Sequence, residues 1–257
     1  MIRSLAASVK ALAFLSLTLL LMPIQAALLF FKHPTARALP QIYHRMVCRI
    51  LRVELQIEGN VPSVGLIVAN HVSWFDIPVL SAAARVSFVA KKDVASWPFF
   101  GTLARLQNTV FVDRERRHST GQSRDEMLHR LRAGEVLVLF PEGTSNNGRH
   151  LQPFKSTFFA AVDGTDMPIV PVTLVYRSQH GLPLTLRQWP GVAWYGDMRL
   201  LPHLWAALKG GPLKVRVIFH NTLSLPEHGH RKALAAAAEK QVRQALAENL
   251  HQNFKMR

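Results

Sequence analysis

The stretch LIVANHVSWFD, residues 66–76, is the part of the sequence that indicates the fold most clearly. Its apolar start, from Leu66 to Ala69, predicts a short buried strand. His71 and Asp76 follow the carboxyl end of that strand. An imidazole can act as a general base near neutral pH, and a carboxylate can fix its tautomer and stabilise its protonated form. Such a pair also arises by chance in a chain with 12 His and 16 acidic residues, so the surrounding sequence has to decide.

Apolar runs of this kind recur along the chain and alternate with amphipathic segments. Strands alternate with helices up to about residue 175, as an α/β sheet requires. Pro171, in the sixth strand, predicts an edge strand or a bulge. We therefore predict the α/β class: a single mixed β-sheet flanked by helices, with an N-terminal membrane-anchoring helical element. The predicted strands are 53–57, 66–69, 86–90, 109–112, 136–140, 169–175 and 215–219, and the predicted helices are 38–51, 77–84, 94–106, 122–133, 155–162, 201–209 and 231–250.

Residues 11–31 form an uncharged apolar run between Lys10 and Lys32. A helix of about 20 residues can cross a hydrocarbon core of roughly 30 Å. Pro23 and Gln25 interrupt the run, so a kinked or re-entrant insertion is an alternative to a straight span. A cleaved signal peptide fits less well, because the apolar run continues past any small-residue cleavage point. We predict that this run holds the protein at a membrane.

The segment 38–51 carries apolar residues spaced by three and four, with Arg45 and Arg49 between them. This pattern predicts a basic amphipathic helix, which either lies at the lipid interface or packs on the core. No linker or repeat follows it. The simplest division is a membrane-associated helical part at 1–52 and an α/β domain at 53–257.

The charge and the cysteine count narrow the class of protein. Lys plus Arg number 31 and Asp plus Glu 16, a formal charge of +15, which predicts an anionic partner. Nucleic acid and an anionic membrane surface both qualify, but the chain has no nucleic-acid recognition motif, and its apolar N-terminal run favours the membrane. The single cysteine, Cys48, excludes an internal disulfide and a CxxC metal site.

Polar clusters follow four of the predicted strands. In α/β sheets, ligands bind outside the carboxyl ends of the strands, so these clusters are predicted to share one cleft. The clusters are Asn70-His71 through Asp76, Lys91-Lys92, Asp113-Arg114, and Glu142-Gly143-Thr144.

The clusters resemble the sequence blocks of the glycerolipid (lysophosphatidate-type) acyltransferase family. HVSWFD at 71–76 looks like the first block, His-x4-Asp, and VFVDR at 110–114 looks like the second. FPEGT at 140–144 looks like the third, and MPIVPV at 167–172 looks like the fourth. The blocks occur in the order that the family has, which makes the resemblance far more specific than one block would.

The resemblance implies a membrane-bound enzyme of lipid biosynthesis, with the bacterial inner membrane and a catalytic domain on its cytoplasmic face as the expected location. It would transfer a fatty acyl chain from an acyl carrier protein or coenzyme A thioester to the free hydroxyl of a lysolipid. His71 would be the general base, and Asp76 would orient it, as the acid of a serine-hydrolase triad does. The lipid hydroxyl would be the nucleophile, so that no catalytic Ser or Cys is needed. The resemblance implies no metal and no cofactor besides the thioester co-substrate.

The remaining blocks imply roles in substrate binding. Arg114 would hold an anionic head group, and Glu142-Gly143-Thr144 would shape the acceptor site. Pro171 would help to form the acyl-chain side. We add Lys91 to the head-group residues because it follows the third strand; a merely solvated basic pair is the alternative.

The third block departs from the family pattern. Members that take lysophosphatidate commonly have Glu-Gly-Thr-Arg there, whereas this chain has Ser145, which removes a bidentate phosphate ligand. Arg149 or Lys155 could compensate. WYGDM at 194–198 and PHLW at 202–205 are similar to the family branch that acylates lyso-ornithine lipid, whose acceptor lacks phosphate. We expect conversion of 1-acyl-glycerol-3-phosphate to phosphatidic acid, the commoner family activity, with lyso-ornithine lipid as a close second acceptor.

Two other classes of protein explain less of the sequence. A non-catalytic lipid-binding protein would keep the apolar run and the basic charge, but it would not need His71 and Asp76 together. A metal-dependent hydrolase could use these two residues with Glu142 as ligands, but no second histidine lies near them in the sequence.

Overall fold

The computed structural model describes residues 2–113 and 117–255. Short 3₁₀ turns lie at Pro34–Arg37, Lys92–Ser96, Ser156–Val162 and Trp189–Gly191. The helices are α1 (Ile2–Phe30), α2 (Leu39–Leu51), α3 (Asp76–Ala83), α4 (Phe100–Leu106), α5 (Arg117–Arg132), α6 (Leu200–Lys209), α7 (Leu225–His228) and α8 (Arg231–Lys255). The strands are β1 (Val53–Glu58), β2 (Gly65–Ala69), β3 (Ser87–Lys91), β4 (Val110–Val112), β5 (Val136–Leu139), β6 (Ile169–Gln179), β7 (Leu182–Pro183) and β8 (Leu213–Phe219).

These strands form one mixed sheet in the order β1-β8-β6-β2-β5-β3-β4, and β7 pairs with β6. The run from β6 through β2, β5 and β3 to β4 is parallel throughout. β8 runs antiparallel to β6, and β1 runs parallel to β8. The predicted single mixed sheet is confirmed, and the carboxyl ends of the parallel strands meet at one edge.

Burial explains why these segments become strands. Every residue of β2 and β5 is buried, as is usual for parallel strands that are covered on both faces. One face of the sheet packs against α2 and α3 through residues such as Ile67, and the other packs against α5 and α8 through residues such as Leu137. Each fully buried side chain of this size stabilises the fold by about 1.5–3 kcal/mol.

Two expectations about local structure are corrected. The predicted helix at 94–106 divides into the turn Lys92–Ser96 and α4, because Pro98 has no N–H to donate and Phe99 takes a left-handed φ of 64°. Pro171 does not lie on an edge strand, since β6 is paired on both sides. The regular pairing of β6 with β8 ends at Val172. The Pro171 carbonyl still accepts a hydrogen bond from the His220 N–H. Pro171, which has no N–H to donate, therefore lies just beyond the end of this pairing.

Helix α1 is long and apolar enough to cross a membrane by length and composition. One face of it packs along the rest of the chain, with Ala7, Thr18 and Gln25 buried. The opposite face is exposed and apolar, for example at Leu12 and Leu19. The helix therefore presents one side to the protein and the other to its surroundings.

Two polar side chains attach α1 to the α/β part of the chain. Lys10 Nζ donates to the carbonyls of Leu208 and Gly210, at 3.0 and 3.1 Å, at the end of α6. Gln25 Nε2 donates to the carbonyls of Ala36 and Leu106, both at 2.9 Å. At 1.5 Å per residue these anchors lie roughly 22 Å apart along the helix.

Helix α2 packs on the core, and its contact with a lipid interface stays a prediction. Its face with His44, Val47 and Cys48 is buried, while Ile42 and Met46 stay exposed. β1 begins directly after it, and the division of the chain at residue 52 stays a prediction.

Candidate active site

The β2–α3 loop brings His71 and Asp76 together. His71 Nδ1 lies 2.7 Å from Asp76 Oδ2, and Asp76 is fully buried, whereas 21% of the His71 side chain is exposed. The loop shapes this pair, since the backbone N–H groups of Val72 and Ser73 donate to the same carboxylate oxygen at 2.7 and 2.9 Å. Asp76 begins α3, where a negative charge is favourable. With Nδ1 held by the carboxylate, Nε2 is the ring nitrogen that a substrate hydroxyl can reach.

The His71 backbone and ring are held from the neighbouring strand β5. The His71 N–H donates to Glu142 Oε1 at 2.6 Å, and the His71 carbonyl accepts from the Asn146 N–H at 3.0 Å. The imidazole stacks on the Phe140 ring with centroids 4.1 Å apart. Asp76 and Phe140 therefore fix the imidazole, and Glu142 and Asn146 fix the His71 backbone.

Glu142 is buried, and its carboxylate bonds to the loops around His71. It is 2% exposed, and its Oε2 accepts from Asn146 Nδ2 at 2.5 Å and from the Gln152 N–H at 2.7 Å. Burial raises the pKa of this carboxyl to about 7, partly offset by the N–H donors. With both of its oxygens occupied, Glu142 connects the β5 turn to His71, and the predicted contact of Glu142 with the acceptor stays a prediction.

The other residues of the third block form the turn after β5. The Gly143 N–H donates to the Phe140 carbonyl at 3.0 Å, and Gly143 takes a φ of 82°, which favours glycine. Thr144 is exposed and Ser145 half-buried at the tip of this turn. The turn lies beside His71, as the shared cleft requires.

The head-group candidates on the next strands lie at the same edge of the sheet. Lys91 ends β3 and forms an ion pair with Asp93 at 2.6 Å, and Lys92 contacts Asp113, after β4, at 3.3 Å. Arg114 lies outside the described residues. The binding roles of these residues stay predictions.

The segment 189–205 packs against the first block. The Trp194 N–H donates to the Val72 carbonyl at 3.0 Å. Trp74 Nε1 donates to His203 Nδ1 at 2.9 Å, and His203 Nε2 donates to the Ala193 carbonyl at 3.1 Å. Burial lowers the pKa of His203, so its ring is neutral and Nδ1 can accept this bond. The two sequence stretches that resemble the lyso-ornithine lipid branch are thus in contact with the His-x4-Asp loop.

Comparison with known proteins decides the family. A family model described as Acyltransferase matches residues 52–175. The lyso-ornithine lipid O-acyltransferase of Rhizobium meliloti is 39% identical over 242 residues, 91% of this chain and 83% of that protein. The chain belongs to the acyltransferase family.

Other acyltransferases match over much of the chain. The lyso-ornithine lipid O-acyltransferase of Brucella abortus is 38% identical over 93% of this chain and 92% of its own length. The 1-acyl-sn-glycerol-3-phosphate acyltransferase of Neisseria meningitidis is 31% identical over 73% of this chain and 71% of its own length. Among solved structures, the 1-acyl-sn-glycerophosphate acyltransferase PlsC of Thermotoga maritima has a TM-score of 0.69 at 21% identity, over 96% of this chain and 97% of that chain. The last likeness shows a common fold.

An apolar cavity of about 250 Å³ lies beside the acyltransferase site. Side chains of α1, α2, α3, α4 and α6 line it, and Trp74 of the first block forms part of its wall. Phe88 also lines it, and the Phe88 ring lies 6.5 Å from the Phe140 ring that stacks on His71. The Phe88 and Phe140 rings thus lie between the cavity and the imidazole. Pro171 is buried in β6 and is not brought to this cavity.

Sequence reasoning did not identify several residues that shape the site. Tyr176 donates to Asp76 Oδ1 at 2.5 Å from a position 100 residues further along the chain, and no sequence signal marks it. Asn146 follows the third block closely, but no sequence signal indicates that its side chain and its N–H both contact the site. Phe140 stood within the third block, but stacking on an imidazole cannot be deduced from sequence.

The arrangement supports general-base chemistry on an incoming hydroxyl. Nε2 of His71 can remove the proton, and the buried Asp76 carboxylate stabilises the imidazolium that forms. Among residues 2–113 and 117–255, no group of three or more His, Cys, Asp or Glu side chains is placed to hold a metal ion.

Proposed function

We propose that this acyltransferase transfers a fatty acyl chain from a thioester to the hydroxyl of lyso-ornithine lipid, which yields ornithine lipid. The observation that carries the proposal is the His71–Asp76 pair at 2.7 Å, beside an apolar cavity. The relatives from Rhizobium and Brucella, which match over most of the chain, support this acceptor. Ser145 supports it too, because a phosphate-free head group does not need the guanidinium that the family pattern has there.

In the proposed reaction His71 Nε2 takes the proton of the lipid hydroxyl, and the hydroxyl oxygen attacks the thioester carbonyl. The tetrahedral intermediate then collapses, the C–S bond breaks, and the thiolate leaves. His71 returns its proton to the sulfur, so the enzyme ends in its starting protonation state. The balance needs no metal or redox cofactor, and either acyl carrier protein or coenzyme A can supply the thioester.

We place the hydrocarbon chain of a substrate in the apolar cavity. Its walls are almost entirely hydrocarbon, and each buried methylene contributes about 0.8 kcal/mol. The exposed apolar face of α1 and the +15 charge of the chain support a membrane-bound enzyme at an anionic lipid surface. The bacterial inner membrane, with the catalytic domain on its cytoplasmic face, remains the proposed location.

Lysophosphatidate is the second candidate acceptor. The Neisseria relative carries that activity in its name. Arg149 and Lys155 are exposed in the segment after Ser145. The Lys155 N–H donates to the Pro141 carbonyl at 3.0 Å, which places Lys155 near the turn. These cations could take over part of the phosphate binding.

A direct assay tests the proposal. Purified enzyme in mixed micelles is incubated with labelled acyl carrier protein thioester or acyl-CoA and with either lyso-ornithine lipid or lysophosphatidate. We expect transfer to lyso-ornithine lipid at the higher kcat/KM, and a rate about 10²–10⁴-fold lower with His71→Ala. Faster transfer to lysophosphatidate would show that lysophosphatidate is the preferred acceptor. Transfer to neither lipid would overturn the proposed function.

A further inference from the structure

Tyr176 contacts the catalytic carboxylate from β6, the strand next to β2. Its hydroxyl donates to Asp76 Oδ1 at 2.5 Å, whereas the donors from the β2–α3 loop all reach Oδ2. Tyr176 is 1% exposed and Asp76 is fully buried. The carboxylate is therefore held from two elements that are far apart in the sequence, one for each oxygen.

A buried carboxylate oxygen without a donor is costly. If Oδ1 lost its donor, the carboxylate would either rotate to find another or bind a proton, and in both cases the contact with His71 would weaken. Burial, and then the Asp76 charge, raise the pKa of the Tyr176 hydroxyl well above its ordinary value. The hydroxyl therefore keeps its proton and remains a donor across the working pH range.

We propose that Tyr176 is a positioning residue of this acyltransferase: by donating to Asp76 Oδ1 it holds the carboxylate in the rotamer that orients His71. Tyr176 does not touch the substrate and acts through Asp76. The proposal rests on the proposed acyl transfer, because the orientation of His71 matters only if His71 is the base.

Other ionisable groups near this pair come from two further elements. Cys48 of α2 packs on this side, where its Sγ donates to the Pro78 carbonyl at 3.6 Å, and burial raises its pKa to about 12, so the thiol stays neutral. Glu142, after β5, bonds the His71 backbone, and its pKa is about 7. Because Glu142 titrates near neutral pH, the effect of Tyr176 has to be measured with and without that carboxyl.

The test is Tyr176→Phe, which keeps the ring and removes the donor. We expect kcat to fall about tenfold, with KM for the lysolipid little changed. The acidic limb of the pH–rate profile should move to lower pH, because it reports protonation of His71, and a carboxylate in weaker contact stabilises the imidazolium less. The same shift is expected in the Glu142→Gln background. A wild-type kcat together with an unmoved acidic limb would overturn the proposal.

Thr173→Val is the matched control. Thr173 lies on β6 and is fully buried, with its Oγ1 2.7 Å from His220 Nε2. Three residues from Tyr176 along the strand, its side chain faces the opposite side of the sheet. It should lose a buried hydrogen bond without moving the acidic limb. If Thr173→Val moved the limb equally, a general loss of stability would explain the data and the proposal would fail.

Two further measurements test the proposal if Tyr176→Phe does not fold, and separate it from the proposed function. If Tyr176→Phe does not fold, 3-fluorotyrosine is placed at position 176. As a stronger donor it should hold the carboxylate more firmly against His71 and move the acidic limb to higher pH; an unmoved limb overturns the proposal. The NMR signal of the His71 Nδ1 proton, recorded without substrate, should change in Tyr176→Phe and stay in Thr173→Val. Absence of acyl transfer by the wild type would refute the proposed function, whereas an unchanged Nδ1 signal would refute the role of Tyr176.

Discussion

The polar site at the carboxyl edge of the sheet and the apolar cavity beside it meet at Trp74, and they are held together in different ways. In the polar site, His71, Asp76 and Glu142 are each fixed by hydrogen bonds between 2.5 and 3.0 Å long. In the cavity, side chains from five helices and the sheet contribute area but few directional contacts. Changes in the first region should therefore act on kcat, and changes in the second should act on which lipid chain is accepted.

The largest expected effect comes from removing the base. His71→Ala should lower kcat about 10²–10⁴-fold, because general-base catalysis contributes that much. His129→Ala, at an exposed position on α5, is the control and should keep wild-type activity. Activity is measured by acyl transfer, and association with vesicles is measured in parallel. A His71→Ala enzyme of normal rate would show that the polar site is not where the chemistry occurs.

The next effect concerns Glu142 and the stability of the fold. Burial raises its pKa from 4.5 to about 7, so its contribution to the free energy of unfolding is present below pH 4.5 and is lost as pH rises through about 7. Glu142→Gln cannot ionise, so its melting temperature should lie furthest below that of the wild type at pH 5 and less far below it at pH 8. Thermal unfolding at both pH values measures this.

Glu126→Gln, at an exposed position on α5, is the control for that comparison. Its melting temperature should differ from that of the wild type by the same small amount at both pH values. A Glu142→Gln difference that grew with pH would contradict the assigned titration.

Filling the cavity should change chain selection with little change in chemistry. Ala104 of α4 lines the cavity, so Ala104→Phe should disfavour long chains, by about fourfold in kcat/KM for each methylene that no longer fits. Ala206→Phe, on the exposed face of α6, is the matched control. The measurement is kcat/KM over a series of acyl thioesters. An equal loss for all chain lengths would place the hydrocarbon chain elsewhere.

The smallest expected effect concerns the head group. Ser145→Arg restores the guanidinium of the family pattern and should raise the kcat/KM ratio of lysophosphatidate to lyso-ornithine lipid by a few-fold to about tenfold. Ser145→Lys adds the same charge without a bidentate geometry and should do less. Competition between the two lipids in one assay measures the ratio. Equal effects of Arg and Lys would indicate that charge alone selects the acceptor.

The polar site and the cavity also differ in how far the sequence predicts them. The strand before His71, the pairing with Asp76 and the shared edge of the parallel strands follow from local apolar runs and short spacings. Tyr176 could not be predicted, because only the register of β6 beside β2 brings it to Asp76. The burial of Glu142 depends on Asn146 and Gln152 folding back over it. The cavity could not be predicted either, since its walls come from helices distributed over the chain.

The place of α1 in the cavity wall limits how this enzyme can be engineered. Phe14, Leu21 and Met22 line the cavity from α1, and Lys10 and Gln25 fasten that helix at both ends. Deleting the helix to obtain a water-soluble fragment would open the hydrocarbon site to solvent. We expect such a fragment to aggregate or to lose its preference among chain lengths, so expression work should retain α1 and supply a detergent or a lipid nanodisc.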